Sequence, residues 1–186
     1  FISDMSLATP TDPLSNGGLL HAITGTLALV TLALIMSVPI GILTALYLTE
    51  IRGRFTSPIR FLVQAMSGVP SIVAGLFVYS TVVVLFGGFS AWAGAVALSI
   101  LMLPTVARTS EEVLKLVSVD LRTSSAALGA TQARTVFTVV IPTVASGLIT
   151  AAVLGVARVV GETAPLILTS SYFVATSTNL NEPIAS

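Results

Sequence analysis

Residues 61–107, FLVQAMSGVPSIVAGLFVYSTVVVLFGGFSAWAGAVALSILMLPTVA, run for 47 positions without an Asp, Glu, Lys or Arg. At 1.5 Å per residue a single helix of this length would reach roughly 70 Å, against a bilayer hydrocarbon core of about 30 Å. The stretch must cross, turn and cross back, and Gly87-Gly88 is the natural turn. Working outward, charge is also missing between Asp12 and Glu50 and between Arg134 and Arg158. The pattern predicts about four spans, near 19–48, 61–86, 92–107 and 136–160.

Composition points the same way. The 186 residues are 54% hydrophobic and 9% charged, with a mean hydropathy of +1.00. A soluble domain carries about 25% charged residues, so a soluble globular fold is excluded. The expected class is all-α, a polytopic transmembrane helical bundle forming a single domain over residues 1–186. Eight Lys and Arg balance eight Asp and Glu, so no basic excess argues for nucleic acid. With no cysteine there is neither a disulfide framework nor a thiolate metal site. The opening FISDMSLATPTDPLSNGG begins at Phe1 and lacks signal-peptide character. It reads as an internal start, a fragment of a longer chain.

The bases orient the bundle. Arg52, Arg54 and Arg60 fall between the first and second spans, and Arg108, Lys115, Arg122 and Arg134 between the third and fourth. The positive-inside rule makes both segments cytoplasmic and both ends extracytoplasmic. Trp92 sits beside the outer turn, where an interfacial aromatic would anchor. His21 has no second His or carboxylate cluster nearby and reads as an interfacial residue. No metal-binding, cofactor-binding or catalytic constellation is present in the spans.

Each span holds a proline: Pro39, Pro70, Pro104 and Pro142. Ser37, Thr105 and Thr143 lie next to or near three of them and can serve freed carbonyls, as membrane helices allow. Ordinary kinks and flexible segments of a moving pathway are both open readings. Gly68 and Pro70, within Gly68-Val69-Pro70-Ser71, mark the most easily interrupted point.

The polar segment 108–135 predicts three short helices. RTSEEVLKLVSVD offers Ser110 as an N-cap with two glutamates in the first turn. A second helix starts at Ser118 or Asp120 and ends at Gly129, and Thr131 caps a third that enters the membrane. On the middle helix Leu121, Ser125 and Leu128 share one face. With Arg122 as its sole base and a small apolar face, this helix suits docking to a partner better than lying on lipid headgroups.

Arg158 and Glu162 stand at the end of the last apolar run. An ionisable group within a span costs about 2.5 to 3.5 kcal/mol and is normally paired away from lipid. At positions i and i+4 the two can pair. At about 100° per residue, Gly147, Ala151, Gly155, Arg158 and Glu162 fall within roughly 80° of arc, and small residues at this spacing let a helix approach closely. Two roles are open: an ion pair that fixes packing, or an arginine offered to a passing anion with the glutamate orienting it. The chain's one lysine, Lys115, is not in a GxxxxGK[ST] loop, so any ATP-driven step belongs to a partner.

SSAALGATQARTVFTVVIP (124–142) resembles the EAA loop of bacterial ABC-importer permeases, with Gly129, Val139, Ile141 and Pro142 at the expected spacing. Thr123, Ser124 and Ser125 stand where Glu-Ala-Ala is usual. GVPSIVAGLFVY (68–79) and ARVVGETAPLILT (157–169) are similar to segments of phosphate-specific permeases of the PstA type, a branch of the MetI-like type I importers. The resemblance, from about Gly25 to Thr169, implies six spans, of which this chain holds about four. It implies no cofactor in this subunit and a set of partners: a homologous second permease (PstC type), an ATPase dimer (PstB type), an extracytoplasmic phosphate-binding protein (PstS type) and membrane lipid. It also implies that Asp120, Leu121, Thr123, Ser124, Ser125, Leu128 and Gly129 belong to a coupling helix, residues 120–131, that meets the ATPase. A permease for another oxyanion such as sulfate or molybdate, and a self-contained secondary transporter, are the alternatives.

Overall fold

The computed structural model describes residues 20–51, 53–84 and 90–169, and every regular element among them is helical. Helix α1 (Leu20–Leu46) is apolar nearly all round, as a lipid-embedded helix is. It continues without a break through Pro39 and ends in a π turn, Tyr47–Ile51. Helix α2 (Thr56–Ser67) is amphipathic instead, and α3 (Ser71–Val78) continues into a second π turn, Tyr79–Val83. Helix α4 (Ala91–Lys115) is the longest helix of the second half and contains Pro104. Then come α5 (Val119–Ala127), α6 (Gln132–Thr135) with a π turn at Val136–Val140, α7 (Ile141–Thr143), α8 (Ala145–Val159) and α9 (Ala164–Thr169).

Among the described residues two continuous helices, Ile23–Ile51 and Ala91–Lys115, are long and apolar enough to cross a bilayer, and two broken pairs make up to four spans if each pair is one crossing. The second span expected over 61–86 is therefore not a single helix. It breaks where glycine and proline adjoin: Gly68 N–H closes back on Ala65 O, and Pro70 is extended at φ −59°, ψ 138° before α3 starts. The last span bends by 71° between α7 and α8, at Val144, two residues beyond Pro142. Pro39 and Pro104 interrupt nothing, so only two of the four prolines mark breaks. Thr143 donates to Val139 O at 2.6 Å, which serves a carbonyl in the π turn before the bend.

Two further sequence expectations change. No separate helix starts at Ser110, because α4 continues unbroken to Lys115 and Ser110 is buried inside it. The reason is packing: Val106, Ala107, Ser110, Glu111 and Leu114 form one buried stripe at three- and four-residue spacing. The last long helix ends at Val159, so Glu162 lies beyond it. The turn at Gly87-Gly88, Arg52, and residues 1–19 and 170–186 lie outside the described residues.

The chain divides into two compact units. One comprises Ser37–Gly68 and Leu103–Gly155. Its core gathers Ala45, Leu46, Leu114, Val117, Val136, Val140, Val144 and Leu148. Gly41 lets α1 approach α4 closely, since a Cβ there would lie 2.8 Å from Val106 Cγ1 and 3.3 Å from Ala107 N. All described bases except Arg158 belong to this unit.

The other unit comprises the described residues up to Met36, Val69–Met102, and those from Val156 on. Val78, Val83, Ala93 and Ala97 pack α3 and its π turn on α4. Helix α9 packs on α3 at Gly75, and Ser90 N–H reaches Thr169 O at 3.4 Å.

Candidate functional site

The segment joining α4 to α6 follows the local signals in its sequence. Ser118 caps α5, its hydroxyl accepting from Leu121 N–H at 3.4 Å, and Asp120 lies in the first turn where a negative charge suits the helix dipole. At the other end Ala130 N–H bonds Ser125 O and Gly129 N–H bonds Ala126 O, with Gly129 at φ +82°. This left-handed closure is the Schellman arrangement that favours glycine. Thr131 then caps α6, accepting from Arg134 N–H. The expected caps at Ser118, Gly129 and Thr131 are all present.

No residue of α5 is buried. Leu116, Val119 and Leu128 are 81%, 68% and 89% exposed, and Leu121 is 42% exposed. Asp120, Thr123 and Ser124 are exposed too, and Thr123 Oγ1 donates to Asp120 O. Ser125 departs from the expected face. It is half-buried, and its hydroxyl meets Thr135 Oγ1 at 2.8 Å, so it holds the hairpin together while Leu121 and Leu128 face outward.

Arg122 supplies the strongest attachment. Its Nη1 donates to Val117 O at 3.0 Å, and its Nη2 donates to Leu114 O at 3.0 Å and to Glu50 Oε1 at 2.9 Å. One guanidinium thus closes the carboxyl end of α4, where carbonyls lack helical partners, and ties it to Glu50 on the π turn after α1. Gln132 Nε2 donates to Glu50 O at 2.6 Å from the far side of α5. A second polar cluster forms where Arg60 Nη2 and Lys115 Nζ both reach Glu111 Oε1 at 2.8 Å, joining α2 to α4. Glu50, Glu111 and Gln132 were missed by sequence reasoning. A lone acid at the edge of an apolar run was the available signal, since such a group needs a partner.

Arg158 and Glu162 are not brought together by the helix. Leu148, Ala151, Gly155 and Val159 form the buried stripe of α8, continued by Val144 just before it. Arg158 is one step off it, exposed, with no ion-pair or hydrogen-bond partner among the described residues. Glu162 is half-buried after the turn at Val160-Gly161, its N–H bonded to Val159 O. The i,i+4 pair therefore fails because the helix stops between its members. The expected break at Gly68 and Pro70 is where the structure has it.

Residues 37–181 match the family described as binding-protein-dependent transport system inner membrane component. The chain belongs to this family. It is 42% identical over 185 residues to the phosphate transport system permease protein PstA of Haemophilus influenzae, covering 97% of this chain and 66% of that protein. It is 44% identical over 158 residues to PstA 1 of Mycobacterium tuberculosis (strain H37Rv), covering 84% of this chain and 51% of that one. The chain thus spans less than two thirds of the length of these relatives. Among solved structures it is similar to an inward-facing MetNI methionine ABC transporter, with TM-score 0.72, 24% identity, and 77% of this chain and 70% of that one covered. That likeness concerns the fold, and it agrees with the MetI-like permease bundle expected from the sequence. As a family member the protein is a multi-pass inner membrane component.

Proposed function

We propose that the chain is the permease subunit of an ATP-driven importer of inorganic phosphate, with hydrolysis carried out by a separate ATPase. The observation that carries the reading is α5. It is a short capped helix with no buried residue, gripped at its base by Arg122 and bearing exposed leucines. Exposed apolar side chains on a rigidly held polar element mark a protein docking surface. The names of the relatives in Haemophilus influenzae and Mycobacterium tuberculosis support phosphate as the cargo.

In this reading α5 sits in a groove of the cytoplasmic ATPase dimer, and a homologous second permease completes the pathway in the membrane lipid. A phosphate-binding protein delivers the anion from outside. Both ends of the chain face outward and the segments around α2 and α5 face the cytoplasm, in keeping with the positive-inside rule. Nucleotide turnover switches the permease pair between inward-open and outward-open arrangements. Arg158, exposed and without a partner among the described residues, offers the anion its charge, and Glu162 limits how tightly the anion is held.

The test is uptake of labelled phosphate into proteoliposomes holding the full-length permease with its partners. ATP-dependent uptake unaffected by excess sulfate or molybdate is expected. Uptake without nucleotide would identify a secondary carrier, and competition by sulfate would identify a broader oxyanion permease. Gly129→Val tests the docking element. A β-branched residue at φ +82° costs about 1–2 kcal/mol, and because a Cβ added there would meet nothing within 4 Å the strain is of the backbone alone. The closure of α5 is expected to loosen, and co-purification of the ATPase to fall. Gly129→Asn, which tolerates this conformation, is expected to retain it.

A further inference from the structure

Glu50 is held twice, and the two grips come from opposite ends of α5. Arg122, in the first half of that helix, takes the Glu50 carboxylate, and Gln132, just after the closing turn, takes the Glu50 carbonyl. The same Arg122 caps α4 through Leu114 O and Val117 O. Three separate elements thus meet at one residue: the end of α1, the end of α4 and the base of α5. Beside this meeting point lies a groove of about 310 Å³, with Leu43, Tyr47 and Ile51 on one wall and Ala133 and Phe137 on the other. There the polar ties to Glu50 bridge what packed side chains leave open.

Glu50 also lies in a π turn, whose wider helical path is a common site of local adjustment. The anchor is shielded as well, since the Glu50 and Arg122 side chains are 10% and 27% exposed. A shielded charge pair with three charge-assisted bonds resists displacement better than an exposed one.

We infer that Arg122 and Glu50 form the mechanical joint of this subunit: displacement of α5 reaches the end of α1 and the end of α4 through this pair, and both are positioning residues for transport. The inference rests on the importer reading above. Lysine could not replace Arg122, because one ammonium does not present the planar fork that here meets two carbonyls and a carboxylate.

These 186 residues hold no cysteine, so cysteines placed at Leu43 and Ala127, in a full-length permease with any other cysteine replaced, take spin labels selectively. Both positions are exposed. In the assembled complex the distance distribution between the labels is expected to be narrow, and to broaden at least about twofold in Arg122→Gln and in Glu50→Gln. Arg122→Lys is expected to resemble Arg122→Gln. With ATP, phosphate uptake per ATP hydrolysed is expected to fall roughly tenfold, about 1.4 kcal/mol of lost coupling, while hydrolysis continues. A merely structural role would lower both together. Unchanged label distances in both Gln variants, or an unchanged uptake-to-hydrolysis ratio, would overturn the joint. Glu50→Gln keeps the α4 cap, so it judges the joint even if Arg122→Gln does not assemble. Absence of ATP-driven phosphate uptake by the unsubstituted complex would overturn the importer reading instead, and the label distances would still decide the joint.

Discussion

Replacing Arg158 by Gln is expected to lower phosphate uptake roughly 10- to 100-fold while the complex still assembles. A hydrogen bond to a charged group contributes about 1.5–3 kcal/mol, and each step of about 1.4 kcal/mol is a factor of ten. Assembly should survive because Arg158 is exposed and holds nothing among the described residues, and substitutions at such positions usually stay within about 0.5 kcal/mol. Arg158→Lys keeps the charge without the bidentate fork and should fall between the two. Uptake and co-purification measured on the same preparations separate transport from assembly. Near-normal uptake by Arg158→Gln would show that this arginine does not serve the anion.

The second large effect is on folding. Gly75→Val would place a Cβ 2.7 Å from Pro165 Cα and 3.1 Å from Pro165 Cβ, at the contact between α3 and α9. A flexible side chain could swing aside, but a backbone atom inside a helix cannot. Overpacking typically costs about 1–3 kcal/mol, and the upper end is expected here because α9 must move as a whole. The thermal midpoint of the detergent-solubilised protein should drop clearly for Gly75→Val and less for Gly75→Ala. Gly161→Ala is the control, since Gly161 is exposed and a Cβ there meets nothing within 4 Å. Equal stability of Gly75→Val and the control would mean that α9 does not pack on α3 in this way.

The features of the site that were legible in the sequence are those in which the decisive partner lies within a few residues. Ser118 and Thr131 accept from backbone N–H groups three positions on, and Gly129 takes the left-handed conformation that ends α5. Gly68 and Pro70 break a helix for equally local reasons. Ser110 was misread for the complementary reason. It looks like an N-cap beside two glutamates, yet burial of Val106, Ala107 and Leu114 keeps α4 helical through it, so packing overrode the cap. The pairing of Arg158 with Glu162 assumed a helix that in fact ends at Val159.

By itself the sequence determined that this is a polytopic helical membrane protein, where its polar segments fall, and how α5 begins and ends. Scarcity of charge and the period of the chain are properties of composition and near neighbours, and the bilayer leaves them few solutions. Only the tertiary structure decided that Arg122 meets Glu50 across 72 positions, that Ser125 turns inward to Thr135, and that Gly75 must stay small. Such contacts depend on which helices come side by side. That is settled by burial summed over whole helices, which no local stretch of residues contains.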